Sequence, residues 1–159
     1  MNLIVKVFKQ LHPNIKDFVI NNNVVIVKDK TFMEIANNTQ FQSKMKELQW
    51  QELQQKQTNK LYQAYETANE LDIAYLNSTF QADKKSQDLI VSVLSAGSVP
   101  TGFFWLDKAN NQVAMTYAEL QGLSGAILTR NQANFIKFQG LKTQANAATT
   151  QAALDKIVW

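Results

Sequence analysis

The first thirty residues alternate between short apolar runs and polar breaks. Residues 16–20 and 24–28 are two such runs, separated by three consecutive asparagines at 21–23. Because Asn tolerates positive φ better than most residues, these asparagines suit a hairpin loop. The pattern predicts a small β unit over residues 1–30. Residues 3–8 fit either a third strand or a helix, since their apolar positions satisfy both spacings.

From residue 31 to residue 77 the chain contains neither Pro nor Gly and is rich in good helix formers. The apolar residues of this span form a thin stripe at three- and four-residue steps, interrupted near Gln57. Its members are Trp50, Leu53, Leu61, Ala64, Ala68 and Leu71. The pattern predicts a long Gln-rich helix or connector. Such a stripe is either a coiled-coil seam or one edge laid on a neighbour, so we expect a homo-oligomer through residues 31–77 as one possibility.

Residues 78–159 contain helix caps and turn residues at the spacing expected of a compact domain. A strand is expected to end at Phe80, and Asp83 is suited to cap a helix that Gly97 and Pro100 bring to an end. Strands at 103–106 and 112–115 flank a five-residue loop at 107–111, which is typical of a hairpin.

Thr116 and Glu119 have the spacing of a capping box, with Met115 and Leu120 as the hydrophobic staple of the same helix. A last short helix is expected to begin near Thr149 or Thr150. The order of these elements predicts an α+β fold rather than a parallel doubly wound sheet. It comprises a small N-terminal β-hairpin unit, a long central helix, and a C-terminal helical domain with a small antiparallel β-hairpin.

The composition narrows the class of function. Apolar residues make up 45% and charged residues 18% of the 159 residues, with a net charge of +3, which fits a soluble globular protein. The lysines are scattered, so we expect no nucleic-acid partner. Lysines interrupt the N-terminal apolar run, and no run approaches the ~20 apolar residues of a membrane span. We therefore expect neither a signal peptide nor a membrane partner.

Few side chains with catalytic chemistry stand out. The chain has no cysteine, which excludes thiolate chemistry and disulfides. The single histidine, His12, more often is a solvated loop residue than a general base. Three further groups have structural alternatives: a Glu66, Glu70 and Asp72 carboxylate cluster, a calcium loop at Asp107, Asn110 and Asn111, and a nucleophile-like Gly122-Leu-Ser-Gly125. We expect the carboxylates to lie on a solvated helix face, the Asp107 loop to be a hairpin turn, and the Gly122–Gly125 segment to lie inside a helix. We therefore expect no catalytic residue, no metal site and no cofactor.

The aromatic side chains around residue 105 are the remaining candidates for binding. Phe103, Trp105 and Tyr117 could form a platform for a ligand or partner, because aromatic rings stack on sugars and anchor protein contacts. In a strand, Phe103 and Trp105 would share one face and Phe104 the opposite face. Packing of these rings in the core is the alternative.

Residues from about 60 to the C-terminus resemble a domain of unknown function found in tail-fibre and tail-associated proteins of tailed bacteriophages and prophages. The resemblance depends on a succession of short matches rather than on one motif. These are Phe80-x-x-Asp83-x-x-Ser86-Gln87, Trp105-x-Asp107, Asn110-Asn111, Thr116-Tyr-Ala-Glu-Leu120, Leu141-Lys142, Ala147-Ala-Thr-Thr150, Leu154, Ile157 and Trp159.

The resemblance implies a location more than a reaction. It implies a non-enzymatic tail-associated structural or accessory protein whose partners are other phage tail proteins, in the bacterial host cytoplasm during assembly or in the virion tail. A tail-fibre assembly chaperone is one alternative. A carbohydrate-binding module that recognises the host through Phe103, Trp105 or Tyr117 is another. The expected division is 1–30 (β unit), 31–77 (helical connector) and 78–159 (compact tail-associated domain).

Overall fold

The computed structural model describes residues 2–22, 24–27 and 30–159, and it divides the chain into two compact units, Met1–Lys56 and Gln57–Trp159. Five helices and seven short strands make up the described elements. In chain order these are α1 (Leu3–Leu11), β1 (Val19–Asn21), β2 (Val24–Val27), β3 (Lys30–Glu34), α2 (Thr39–Asn69), β4 (Ile73–Tyr75), β5 (Ser78–Phe80), α3 (Lys84–Ser95), β6 (Phe104–Leu106), β7 (Gln112–Ala114), α4 (Tyr117–Ala147) and α5 (Gln151–Asp155). Helices with short antiparallel strand pairs confirm the α+β class.

In the first unit, residues 3–8 form a helix rather than a strand. The side chain of Asn2 caps α1 by accepting a hydrogen bond from the Ile4 N–H at 2.9 Å. Val7 and Phe8 are fully buried, and the ring of Phe8 lies 4.4 Å from the ring of Phe18. The helical alternative is therefore the correct one, because the 3.6-residue spacing turns this apolar face towards the core.

The predicted hairpin is confirmed, and it belongs to a larger sheet than expected. β1 pairs antiparallel with β2, and β2 pairs antiparallel with β3 on its other side. Asn22 takes a positive φ of 44°, as the asparagine turn predicts. Asn23 and Lys28, which the sequence placed in the turn and the second strand, lie outside the described residues.

The predicted start of the long helix at residue 31 is wrong. Residues 30–34 pair with β2 as the third strand, a short 3-10 turn follows at Ile35–Asn37, and α2 begins only at Thr39. Asn38 sets this start, because its side chain accepts from the N–H of Phe41 at 2.8 Å. The helix also ends early, at Asn69, and residues 73–75 form a strand.

The second unit has its core between α3, α4 and two hairpins. Its buried apolar residues are Phe80, Ala82, Ile90, Met115, Leu120, Leu123 and Ile127. The β4–β5 hairpin turns through Leu76 and Asn77, both at positive φ, and this second hairpin was not foreseen. The hairpin of β6 and β7 was predicted and is confirmed.

The predicted helix boundaries of this unit are confirmed by their caps. The Ser86 N–H donates to Asp83 Oδ1 at 2.9 Å, and Gly97 follows α3 at a φ of 78°. Thr116 and Glu119 form the capping box of α4, with Met115 and Leu120 buried as its staple. Thr150, rather than Thr149, caps α5.

A second cluster joins α2, α4 and the C-terminal segment. The rings of Tyr65 and Phe138 stack at 5.3 Å, and the ring of Trp159 lies 6.3 Å from that of Tyr65. Leu61 is buried here, whereas Leu53 and Leu71 of the predicted stripe are exposed. The predicted stripe is thus partly used within the unit itself, and its role in self-association stays a prediction.

Candidate protein-interaction surface

The two sides of the β6–β7 hairpin have opposite environments. Phe103 and Trp105 are half-buried and pack on the core of the second unit, with their ring centroids 6.2 Å apart. Phe104 and Leu106 point the other way and are 43% and 45% exposed. This is the alternation expected of a strand, but the exposed side is occupied by large apolar side chains.

Tyr117 does not lie on that exposed side of the hairpin. Its hydroxyl donates to the backbone oxygen of Leu94 at 2.9 Å, which ties the start of α4 to the end of α3. Phe103 and Tyr117 line one cleft of about 650 Å³, together with Pro100 and Glu119. Trp105 lines a different groove, so the structure brings Phe103 and Tyr117 together but not all three predicted residues.

The groove beside Trp105 lies between β6 and α3. It has a volume of about 270 Å³ and is lined by Gln81, Ser86, Leu89, Phe104, Trp105 and Leu106. Leu89 is 49% exposed. None of these six described residues carries a charge. The outer face of the hairpin continues this surface with Gln112 and Ala114, which lie opposite Leu106 and Phe104.

We define the interaction face as Phe104, Leu106 and Leu89 with the groove between them. Sequence reasoning missed these residues because it assigned function to the Phe103 and Trp105 side of the strand. The sequence nevertheless contains an indication of this surface. In a half-buried hairpin, one side of a strand is normally apolar and the other side polar. Both sides of β6 are apolar.

The loop of this hairpin is held by Asp107, as the turn alternative predicted. Its carboxylate accepts from the N–H groups of Ala109 and Asn111 and from the side-chain amide of Asn111, at 2.8–2.9 Å. Bonds from Asn111, first from its side chain, lower the pKa of Asp107. Asn110 completes the turn at a positive φ of 63°.

The other carboxylates named from the sequence lie at the surface. Glu66 is exposed on α2, Glu70 is exposed in the turn just beyond its end, and the charge of Glu66 raises the pKa of Tyr62. Asp72 pairs with Lys108 at 2.5 Å. Glu119 accepts from the N–H and hydroxyl of Thr116 at 2.7 Å, and these bonds lower its pKa.

The remaining named residues have local structural roles. The backbone N–H of His12 ends α1 by donating to the Phe8 oxygen at 2.8 Å, and its ring lies 4.9 Å from the ring of Phe8. Gly122 and Gly125 both lie inside α4. Across the described ranges, no three His, Asp or Glu side chains group closely enough to suggest a metal site, and no helix there is long and apolar enough to span a membrane.

Arg130 is a structural residue that sequence reasoning overlooked, although it is the only arginine in the chain. Its guanidinium donates to the backbone oxygens of Asn69 and Leu71, just at and beyond the end of α2. Gln87 of α3 donates to the same Asn69 oxygen at 2.8 Å. Partial burial lowers the pKa of Arg130. The group fixes the end of α2 against α3 and α4.

The second unit is thus a small α+β domain that carries an uncharged apolar face on its outer hairpin. Residues 44–158 match the model of the family described as "Domain of unknown function (DUF4376)". The chain belongs to that family. No curated protein and no solved structure matches the chain.

Proposed function

We propose that this protein is a non-enzymatic, tail-associated component of a bacteriophage or prophage and that it works through contacts with other tail proteins. The observation that carries the contact is the interaction face. Phe104, Leu106 and Leu89 keep between 43% and 49% of their surface exposed. The three residues line one groove, and adjoining exposed apolar side chains are a feature of binding surfaces.

The non-enzymatic part of the proposal is supported by how the carboxylates are engaged. Glu119, which lines the cleft of about 650 Å³ beside Tyr117, is held by its own capping box, and Asp107 is held by its own turn. A general acid or base needs a raised pKa near neutrality, whereas hydrogen bonds lower the pKa of both groups.

The phage setting of the proposal comes from the resemblance of about residues 60–159 to tail-associated domains. Mass spectrometry of particles purified from a bacterium that carries this prophage tests it. A structural component will be present in a fixed ratio to the other tail proteins. If the chain accompanies assembly intermediates but is missing from finished particles, it is an assembly chaperone. If it accompanies neither, the proposal fails.

Saccharide binding is the second candidate, and the cleft lined by Phe103 and Tyr117 favours it. Ser98, Thr101 and Thr116 line the same cleft, so that aromatic and polar residues are combined there. A glycan array probed with the wild-type chain and with Tyr117→Ala tests this role. Binding that the variant loses supports it, and an array without any bound glycan contradicts it.

A further inference from the structure

The backbone of β6 has an open edge beside the groove. The hairpin bonds join residue 103 to 115 and residue 107 to 111, since the Met115 N–H donates to the Phe103 oxygen and the Asp107 N–H donates to the Asn111 oxygen. Bonded pairs recur at every second residue of an antiparallel ladder. Trp105 and Val113 therefore form the bonded pair between them, and the N–H and C=O groups of Phe104 and Leu106 point away from β7.

One backbone group farther along this edge already has a hydrogen-bond partner. The Lys108 N–H, two residues beyond Leu106, donates to the Thr79 oxygen of β5 at 2.8 Å. The chains then separate, and Gln81 lies across the groove from β6. Among the described residues, no backbone or side-chain partner is found for the outward groups of Phe104 and Leu106. The Lys108–Thr79 bond lies outside the set of residues that line the groove.

We propose that this groove takes up an extended segment of a partner protein, which adds to β6 as a third strand. This inference rests on the proposed function and specifies its contact. The open edge supplies donors and acceptors at Phe104 and Leu106, and α3 supplies the opposite wall through Ser86 and Leu89. Strand addition uses main-chain bonds for affinity and side-chain pockets for specificity.

The chemistry of the groove defines the segment. Its lining has no charged side chain among the described residues, so buried charges on the segment would lose water without gaining a partner. The segment should therefore carry uncharged, apolar side chains at alternate positions. β6 is three residues long, which limits the ladder to about three or four residues of the partner.

A second apolar depression, between α3 and α4, is a weaker candidate for such a partner. It has a volume of about 280 Å³ and is lined by Ile90, Val91, Ile127 and Leu128, among others. Its walls are helices, whose backbone groups are bonded within each helix. That depression offers side-chain contacts alone, whereas the β6 groove also offers the outward backbone N–H and C=O groups of Phe104 and Leu106.

The experiment uses peptides selected from a random twelve-residue display library against the full chain. The tightest peptide is synthesised in two N-methylated forms, each blocking every second amide of its core. Strand addition predicts that one form loses at least about tenfold in affinity while the other keeps it, because only one set of amides faces β6. The amide protons of Phe104 and Leu106 should also become protected from hydrogen exchange in the complex.

Three variants control this experiment. Phe104→Lys with Leu106→Lys should abolish binding, since lysines on an edge strand block pairing. Ile136→Lys, at a 62% exposed apolar residue on α4, should leave it unchanged, and Val158→Lys, at a 65% exposed residue outside this surface, should also leave it unchanged.

Equal affinity of the two N-methylated forms would overturn strand addition. A failure to select any peptide that depends on Phe104 and Leu106 would overturn it as well. Either result leaves the proposed function standing if particles still contain the chain, so the two failures can be told apart.

Discussion

Gly122 of α4 faces the phenol ring of Tyr75 in β4 at a distance that no larger residue allows. A Cβ at this position would lie 1.9 Å from the hydroxyl oxygen of Tyr75 and 2.8 Å from its Cζ. Tyr75 is half-buried and packs against the core of the second unit, so a Cβ at residue 122 would force its ring to shift. The glycine is needed for close approach of the hairpin to the helix, and the resemblance to a nucleophile motif is incidental.

Gly122→Ala should lower the free energy of unfolding by about 1–3 kcal/mol, the usual cost of overpacking. Gly125→Ala is the matched control, since nothing lies within 4 Å of a Cβ there. It should raise stability by up to about 1 kcal/mol, because Ala is the better helix former. Urea denaturation of both variants measures the difference. Equal stability of the two would contradict the close approach.

Arg130 is a second case in which one side chain has a large structural effect, because it satisfies backbone oxygens at the end of α2. Arg130→Met should cost about 1–3 kcal/mol in urea denaturation, since the Asn69 and Leu71 oxygens lose charge-assisted donors. Lys137→Met is the control on the same helix: Lys137 Nζ lies over the Trp159 ring, 4.3 Å from its centroid, a cation–π contact worth about 0.5–1 kcal/mol at an exposed site. A loss no greater than that of the control would show that water replaces the guanidinium without cost.

At the scale of elements, three carboxylates hold the ends of helices and a turn. Asp83 accepts first from the Ser86 N–H, Glu119 from the Thr116 N–H, and Asp107 from Asn111, and in each case the bonds lower the pKa. A group whose folded pKa lies below its unfolded value stabilises the fold fully above the unfolded value, near pH 4. That contribution is lost as the pH falls through the lower folded value.

The free energy of unfolding should therefore decrease between about pH 4 and pH 2. Asp83→Asn, Asp107→Asn and Glu119→Gln should each make this decrease smaller, because each removes one titrating group. Guanidinium denaturation at pH 7, 4 and 2.5 measures the slope. An unchanged slope in all three variants would contradict the assignment.

The sequence predicts the boundaries of these elements, because local hydrogen bonds set them. It does not predict features that depend on contacts between distant residues. Caps at Asp83, Thr116 and Thr150 depend on local hydrogen bonds, which neighbouring residues specify. The strand at residues 30–34 depends instead on pairing with β2, a contact that helix propensity does not report. The role of Arg130 depends on residues about sixty positions away and has no local signal.

At the scale of the whole molecule, the interaction face could be predicted only in part. The alternation of Phe103, Phe104, Trp105 and Leu106 was visible, but the sequence does not say which side meets the core. Packing of Met115, Leu120 and Ile90 under the hairpin decides it and leaves Phe104 and Leu106 outside. The exposed apolar side chains thus lie on the side of the predicted strand opposite to Phe103 and Trp105.

Phe104→Lys with Leu106→Lys should leave the domain folded, because neither side chain belongs to the buried core of the second unit. Its unfolding free energy should stay within about 1 kcal/mol of wild type, as is usual for surface substitutions. Circular dichroism and urea denaturation check this. A collapse of the fold would instead assign these residues to the core.

Competition between this double variant and the wild-type chain tests the central claim most directly. Both chains are expressed together in the prophage-carrying bacterium, and mass spectrometry measures their ratio in tail particles and assembly intermediates. The interaction face predicts at least a tenfold excess of wild type, roughly the effect of removing a binding hot spot, while Ile136→Lys competes equally. Equal incorporation of the double variant and wild type would contradict the claim.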